Sequence, residues 1–349
     1  MLTPPRSGEP GWALDGRAEA DIIACFACML SQVVELIESR HCFAITSHAR
    51  PDGDGLGSSL ALMHILESLG KEVTVGLRDP IPRAYRELPG AERIRQITRL
   101  DRLYDAVFVI ECSDIDRPGL LDLEKQFLVN IDHHATTELF GHINWIDSTA
   151  SAVGEMIYNL CKALGVRVTP AIASCVYAAI LADTGSFQFS NTTERTFKIA
   201  RELVAHGANP AEIARALFYN HPFSKVKLTG LVLSTLRCDE SGRIAWMVMT
   251  QEMLRQAGAS EEDSEGIVNY PLSIEGVEVV AFFKEIAPGI YRTSLRSKGA
   301  INVSKIASAF GGGGHRNASG CAIEGPLPEV ERRVIRKLQE ALSIVSASP

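Results

Sequence analysis

The chain has 349 residues, 46% of them hydrophobic and 22% charged, with a formal net charge of −7. The length exceeds one ordinary core and predicts two domains, and the composition excludes the disordered, fibrous and disulfide-stapled classes. The acidic balance argues against a general affinity for long nucleic acid and leaves small ligands as the expected partners.

Residues 1–16 are rich in Pro and Gly, so 1–19 is read as a fraying N-terminal extension. The apolar run 22–30 is too short to span a bilayer, and Asp21 and Glu35 share its helical pattern, so no membrane segment is expected. No export signal is visible. Eight scattered cysteines, the Cys25/Cys28 pair included, form no disulfide framework; free thiols in a reducing, cytoplasmic compartment are the plain reading. Strand-like runs at 42–46, 72–77, 105–110, 127–131 and 142–146 alternate with other elements, among them a helix over 55–69 closed by Gly70. This pattern predicts an α/β domain, a parallel sheet with helices on both faces. Two apolar helices follow at 152–163 and 171–182, the second ending on Asp183-Thr184-Gly185. Helical periodicity then runs from 194 to 237, broken at 207–210 and 221–222; a helical connector at 220–236 closes a first domain of 20–219. Beyond it, strands at 243–250, 277–285 and 291–296, helices at 251–256 and 302–310, and a terminal helix at 329–342 predict a smaller α/β domain over 237–345, across a cleft from the first.

Three clusters of ligand-type residues each follow an apolar run. His48, Asp52 and Asp54 lie in a glycine-rich turn after 42–46; Glu111-Cys112-Ser113-Asp114 follows 107–110; Asp132-His133-His134 follows 127–131. Strand ends gather at one carboxyl edge of a parallel sheet, so the clusters are expected to converge, and carboxylates that crowded call for cations between them. An EF-hand does not fit the first turn, where Leu56 and Met63 stand at ligand positions. A dinucleotide-binding turn would set two aspartates against a pyrophosphate. A helix-capping Asx turn is the plain alternative. Adjacent histidines point different ways, so one of the pair can bind metal while the other faces substrate. Asp183 ends an apolar helix at the wrong pole for an anion, which a metal explains. Gly311-Gly312-Gly313-Gly314-His315-Arg316 lacks the Lys-Ser/Thr of a Walker loop; with Arg296 and neighbouring lysines it reads as an anion-contacting patch, with a flexible loop as the alternative.

Together these motifs, ordered from about Cys42 to Glu324, closely resemble the DHH phosphoesterase superfamily, named for the triad present here as Asp132-His133-His134. The resemblance is to the branch in which a DHH domain precedes a DHH-associated C-terminal domain, the NrnA-type oligoribonucleases that also remove the 3′-phosphate of phosphoadenosine phosphate (pAp). It implies a metal-dependent hydrolase acting on short oligonucleotides in the 3′–5′ exonuclease manner, on pAp, or on both. It also implies two Mn²⁺ ions, replaceable by Mg²⁺ or Co²⁺, that activate a bridging water. Carried over by motif, His48 and Asp52 bind one ion and Asp54 and His133 the other, with Glu111 and Asp183 completing the pair. His134 lies beside the scissile phosphate, supported by Asp132, and acts with Asp54 and Asp183. Ser151, Arg296, Gly313, Gly314, His315 and Arg316 contact substrate.

The chain departs from the family at Glu111, where Asp is usual. Either the strand end is set back to fit the longer side chain or Asp114 replaces it; Glu111, directly at the strand end, is favoured. Within the superfamily, cyclic di-AMP or its linear product is an alternative substrate. The 311–320 motif argues against the pyrophosphatase branch. A non-catalytic nucleotide-binding module is the reading from another class, if Glu111 spoils the metal pair; metal content would discriminate. Oligomeric state is not legible.

Overall fold

A computed structural model describes residues 16–299, 301–314 and 316–346, with side chains from Cys28 to Ile344 within those limits. The expectations for residues 1–15, for the Cys25 side chain and for His315 lie outside the described residues. The chain forms two compact units that divide between Asn220 and His221.

The first unit runs α1 (Gly16–Ser39), β1 (Cys42–Ser47), α2 (Gly53–Ser68), β2 (Glu72–Leu77), β3 (Arg95–Gln96), β4 (Ala106–Ile110), β5 (Leu128–Asp132), β6 (Ile143–Ile146), α3 (Val153–Ala163), α4 (Pro170–Asp183), α5 (Glu194–Ala205) and α6 (Pro210–Phe218). Its strands form one parallel sheet in the order β3-β2-β1-β4-β5-β6. Strands β4 and β5 are buried along their whole length, which is why they read as unbroken apolar runs. The strand order reverses between β1 and β4, and a crevice at such a reversal is where ligands bind. Register makes this concrete. Ser47 pairs with Ile110 and Ile110 with Ile131, so His48 and Glu111, the next residues out of the sheet, emerge beside Asp132, the last residue of β5.

The larger core cluster draws on one sheet face and on α2 through α6. A smaller cluster around Tyr104, Val107, Cys112 and Leu123 closes the other face, with a 3-10 turn at Leu123–Lys125. Helices α2 and α4 pack on each other so closely that a methyl at Gly57 would lie 2.5 Å from the Cys175 carbonyl oxygen.

The second unit runs α7 (Phe223–Leu233), β7 (Arg237–Cys238), β8 (Ile244–Met249), α8 (Gln251–Ala257), β9 (Val279–Ala287), β10 (Ile290–Ser297), α9 (Val303–Ser308), β11 (Gly313–Gly314), β12 (Ala318–Glu324) and α10 (Leu327–Ser346). Its mixed sheet has the order β11-β12-β10-β9-β8-β7, with only β8 and β9 parallel. One face is covered by α9 and α10 through Val303, Val330, Val334 and Leu338. The other is covered by α7 and α8 through Leu228, Val232 and Leu254. The helix expected as a connector therefore buries its apolar side in this unit. Strand β12 was not expected, and the glycine run enters the sheet as its partner: Gly313 and Gly314 pair with Gly320 and Ser319. Among the described residues no helix is long and apolar enough to cross a membrane, and the cysteines are free thiols.

Candidate metal centre

The turn after β1 brings the first three ligand-type groups together. His48 Nδ1 donates to the Ala49 carbonyl at 2.9 Å, which turns Nε2 toward Asp52 at 3.6 Å and Glu111 at 3.5 Å. Asp52 is the N-cap of α2 as well, accepting from the amides of Asp54 and Gly55, so the same carboxylate that faces His48 also caps the helix. Glu111 sits in the left-handed region at φ 58°, which is uncommon for a residue with a side chain and aims its buried carboxylate back under His48. Gly55 makes the room: a methyl there would stand 3.0 Å from Glu111 Oε2 and 2.4 Å from Ser47 Oγ. Asp114 is elsewhere, tying off a turn through the amides of Asp116 and Arg117.

A second group assembles from α2, β5 and α4. His133 Nε2 lies 3.6 Å from Asp183 Oδ2 and 3.9 Å from Asp54 Oδ2, its Nδ1 held by the Ala150 carbonyl at 3.1 Å. Asp54 accepts from the first amides of α3, Val153 at 2.6 Å and Gly154 at 3.0 Å, and from Ser58 Oγ at 2.8 Å. Helix α3 has no side-chain cap of its own, so this carboxylate from another helix completes its amino terminus. Ligand atoms of His48, Asp52 and Glu111 fall within 4.8 Å of one another, as do those of Asp54, His133 and Asp183. Glu111 also groups in this way with His133 and His134, which places it between the two triads.

The other two members of the motif pair with each other. Asp132 Oδ1 accepts from His134 Nδ1 at 2.7 Å, and Oδ2 accepts from Thr137 Oγ1. Burial would raise this carboxyl, but His134 and Thr137 outweigh it and hold Asp132 below the ordinary value. Asp132 thus fixes the ring of His134, and with Nδ1 donating, Nε2 is on the far edge.

The donor set fits divalent cations. Glu111 Oε2 is buried with no hydrogen-bond partner, and burial, with Asp52 adding to it, pushes this carboxyl well above the usual range. Burial and neighbouring carboxylates likewise raise Asp183 to about 7, against the pull of His133. Burial works against a charged His48, yet Asp52 and Glu111 outweigh it and push the imidazole up to about 11. Carboxylates that resist ionising beside imidazoles that hold their protons mark a site short of positive charge. Mixed imidazole and carboxylate donors suit a transition-metal dication.

The expected substrate contacts are placed less uniformly. Ser151 is buried, its hydroxyl donating to Glu155. In the second unit, Arg296 is half-buried and forms no ion pair among the described residues; Nη1 donates to the carbonyl of Leu295, and burial lowers its pKa. Arg316 is exposed, and Gly313 and Gly314 lie on the open edge of β11. Sequence reasoning missed Asn191, whose amide donates to Asp183 Oδ2 at 3.3 Å and to the Ser151 carbonyl at 2.9 Å. It also missed Thr137 and the Ala150 carbonyl. None of these has a spacing signal; tertiary contact alone assigns them.

Residues 42–180 match the DHH family, N-terminal domain, and residues 244–345 match the DHHA1 domain. The chain is 34% identical over 317 residues to the bifunctional oligoribonuclease and PAP phosphatase NrnA of Thermus thermophilus, spanning 90% of this chain and 94% of that one. The protein of the same name from Bacillus subtilis is 30% identical over 305 residues, with 84% and 93% covered. A crystal structure of an exopolyphosphatase-related protein from Bacteroides fragilis superposes with a TM-score of 0.84 at 27% identity, over 92% of this chain and 98% of that one. The chain belongs to the DHH family, as a member in which a DHHA1 domain follows the DHH domain.

Proposed function

We infer that the protein is a metal-dependent phosphoesterase that hydrolyses short oligoribonucleotides and pAp. The observation that carries this is the pair of adjacent triads at the sheet's reversal point, set beside a histidine oriented by its own aspartate. Full-length relatives that carry both activities in their names support the substrate class. His48, Asp52 and Glu111 are assigned to one divalent cation and Asp54, His133 and Asp183 to the other, with Mn²⁺ as the expected ion. Bound there, two such ions supply Lewis-acid polarisation of a phosphoryl group and a nucleophile at neutral pH.

The chain's own residues do the rest. His134, its ring fixed through Nδ1, presents Nε2 to a phosphoryl oxygen and stabilises the charge that builds there. Asp132 keeps that ring in one tautomer and one orientation. Glu111, whose carboxylate also lies near His133 and His134, would hold the cation of the first triad on the side facing the second. In the second unit, Arg296 and Arg316, with Gly313, Gly314 and His315, are assigned as nucleotide contacts. Arg296 is suited to this because its guanidinium is half-buried, with the charge of Glu265 acting on it but no ion pair formed among the described residues.

The deciding experiment is Mn²⁺-dependent product release from pAp, a dinucleotide, a short RNA, cyclic di-AMP and pyrophosphate. Turnover of pAp and short RNA is expected. Preference for cyclic di-AMP or pyrophosphate, or no turnover with fewer than two ions bound, would overturn the assignment.

A further inference from the structure

The segment that follows Asp183 is unusually strained. Gly185, Ser186 and Phe187 take successive left-handed conformations, with φ of 55°, 63° and 63°. Such a run with two non-glycine residues persists only where the surroundings enforce it. Thr184 provides the clamp: its carbonyl accepts from the amides of Gln188 at 2.9 Å and Phe189 at 3.0 Å, and its hydroxyl accepts from Phe187 at 3.0 Å. Asn191 closes the loop by returning to Asp183 Oδ2. Both ends of the segment are therefore attached to one candidate metal ligand.

Its two aromatic rings are used differently. Phe187 turns inward, stacking on Phe197 at 5.4 Å between centroids and meeting Tyr177 edge-on. Phe189 is 53% exposed and has no ring partner among the described residues. It rests on Gly185. A methyl at Gly185 would meet Cζ, Cε1 and Cε2 of Phe189 at 2.4, 2.6 and 2.6 Å. Such similar distances to three ring carbons put the glycine under the face of the ring and not at its edge. One face is seated on backbone two residues from Asp183, and the ring is otherwise half open to solvent.

We propose that Phe189 is the stacking platform for a nucleobase adjoining the phosphate under attack, and so a specificity-determining residue. This rests on the nucleotide-hydrolase reading above and adds to it what recognises the base. Stacking is sequence-tolerant, since every base has a π face, so the platform accepts any base while selecting nucleotides over simple phosphoesters.

Kinetics on pAp and on the same ribose bisphosphate lacking adenine test this. Phe189→Ala is expected to raise KM for pAp about tenfold, with kcat within about twofold of wild type. Phe189→Trp is expected to restore KM, and KM for the baseless compound is expected to stay put in both variants. Mn²⁺ affinity unchanged in Phe189→Ala confirms that Asp183 has not moved. An unchanged KM for pAp would overturn the proposal. So would an equal rise for both compounds, which would make the ring a prop for Asp183. A second readout needs no turnover: in Phe189→Trp, AMP should quench the new tryptophan fluorescence saturably and ribose 5-phosphate should not. If the wild type hydrolyses neither compound, the hydrolase reading fails, and the quenching result alone upholds or overturns the platform.

Discussion

Removing the charge of Asp183 should strengthen the metal-free fold and abolish the site. Asp183 holds its proton to about 7, where an ordinary aspartate releases it near 3.8. Keeping it ionised at pH 8 therefore costs the folded state about 4 kcal/mol, at ~1.36 kcal/mol per pKa unit. Asp183→Asn removes that cost while its amide oxygen keeps the bond from Asn191. The attraction of His133, 3.6 Å away, is already contained in that figure; solvent screening of a carboxylate that is 23% exposed reduces the gain expected to roughly half, about 2 kcal/mol. For a unit of this size that is a rise in Tm of ~4–8 °C. The sign follows from linkage: the folded chain binds this proton more tightly than the unfolded one, so the contribution of Asp183 to wild-type stability falls as pH rises from about 4 to about 7 and is flat above. Thermal unfolding in EDTA should thus show the variant's advantage in full at pH 8 and mostly gone at pH 5. With saturating Mn²⁺ the order should reverse, since only the wild type keeps the ligand. A metal-free variant that melts at or below wild type at pH 8, or an advantage that ignores pH, would refute the reasoning.

Other outcomes follow from the same geometry. Glu111→Gln, nearly isosteric, should lower the Mn²⁺ count per chain below two in calorimetric titration; two ions bound with unchanged affinity would remove Glu111 from the centre. Asp132→Asn should cost about 10²–10³ in kcat with metal content unchanged, because only the orientation of His134 is lost; a parallel loss of metal would contradict that role. Stabilisation by Mn²⁺ should be larger at pH 8 than at pH 6, because His48, pushed up to about 11, and Asp183, raised to about 7, hold protons that a cation must displace. Equal shifts in Tm at the two pH values would count against displacement. Gly312→Ala should lower Tm, since its methyl would lie 2.1 Å from the Gly320 carbonyl oxygen, whereas Gly313→Ala meets open space and should leave Tm unchanged while raising KM.

The first unit was legible because its chemistry and its fold use the same signal. Each apolar run is a buried strand, and each ligand cluster stands where such a strand leaves the sheet, so His48, Glu111 and Asp132 announced both the element and the edge. The second unit was only partly so. Strand β12 is built from Ala318, Ser319, Gly320, Cys321 and Ala322, small residues with little strand preference of their own, and it exists because β10 pairs along its length. The glycines of the motif were also half read. Gly55 and Gly57 are there because carboxylate, hydroxyl and helix backbone approach too closely for a side chain, a reason that spacing does not carry. Which of Glu111 and Asp114 faces His48 turned on one backbone angle, which no local pattern encodes.

The bond from Asp54 to the amino terminus of α3 joins residues 99 and 100 positions apart. Neither triad is local: one needs residues 48 through 111, the other residues 54 through 183. Contacts of such separation are made late, after the loop entropy between them has been lost, so the parallel sheet must be largely assembled before either triad exists. A chain still emerging from synthesis carries the early carboxylates without their partners until Asp183 has followed. Cation capture at the second triad would thereby come late in folding, and a metal-binding signal from it on refolding would report that the sheet and α4 had already come together.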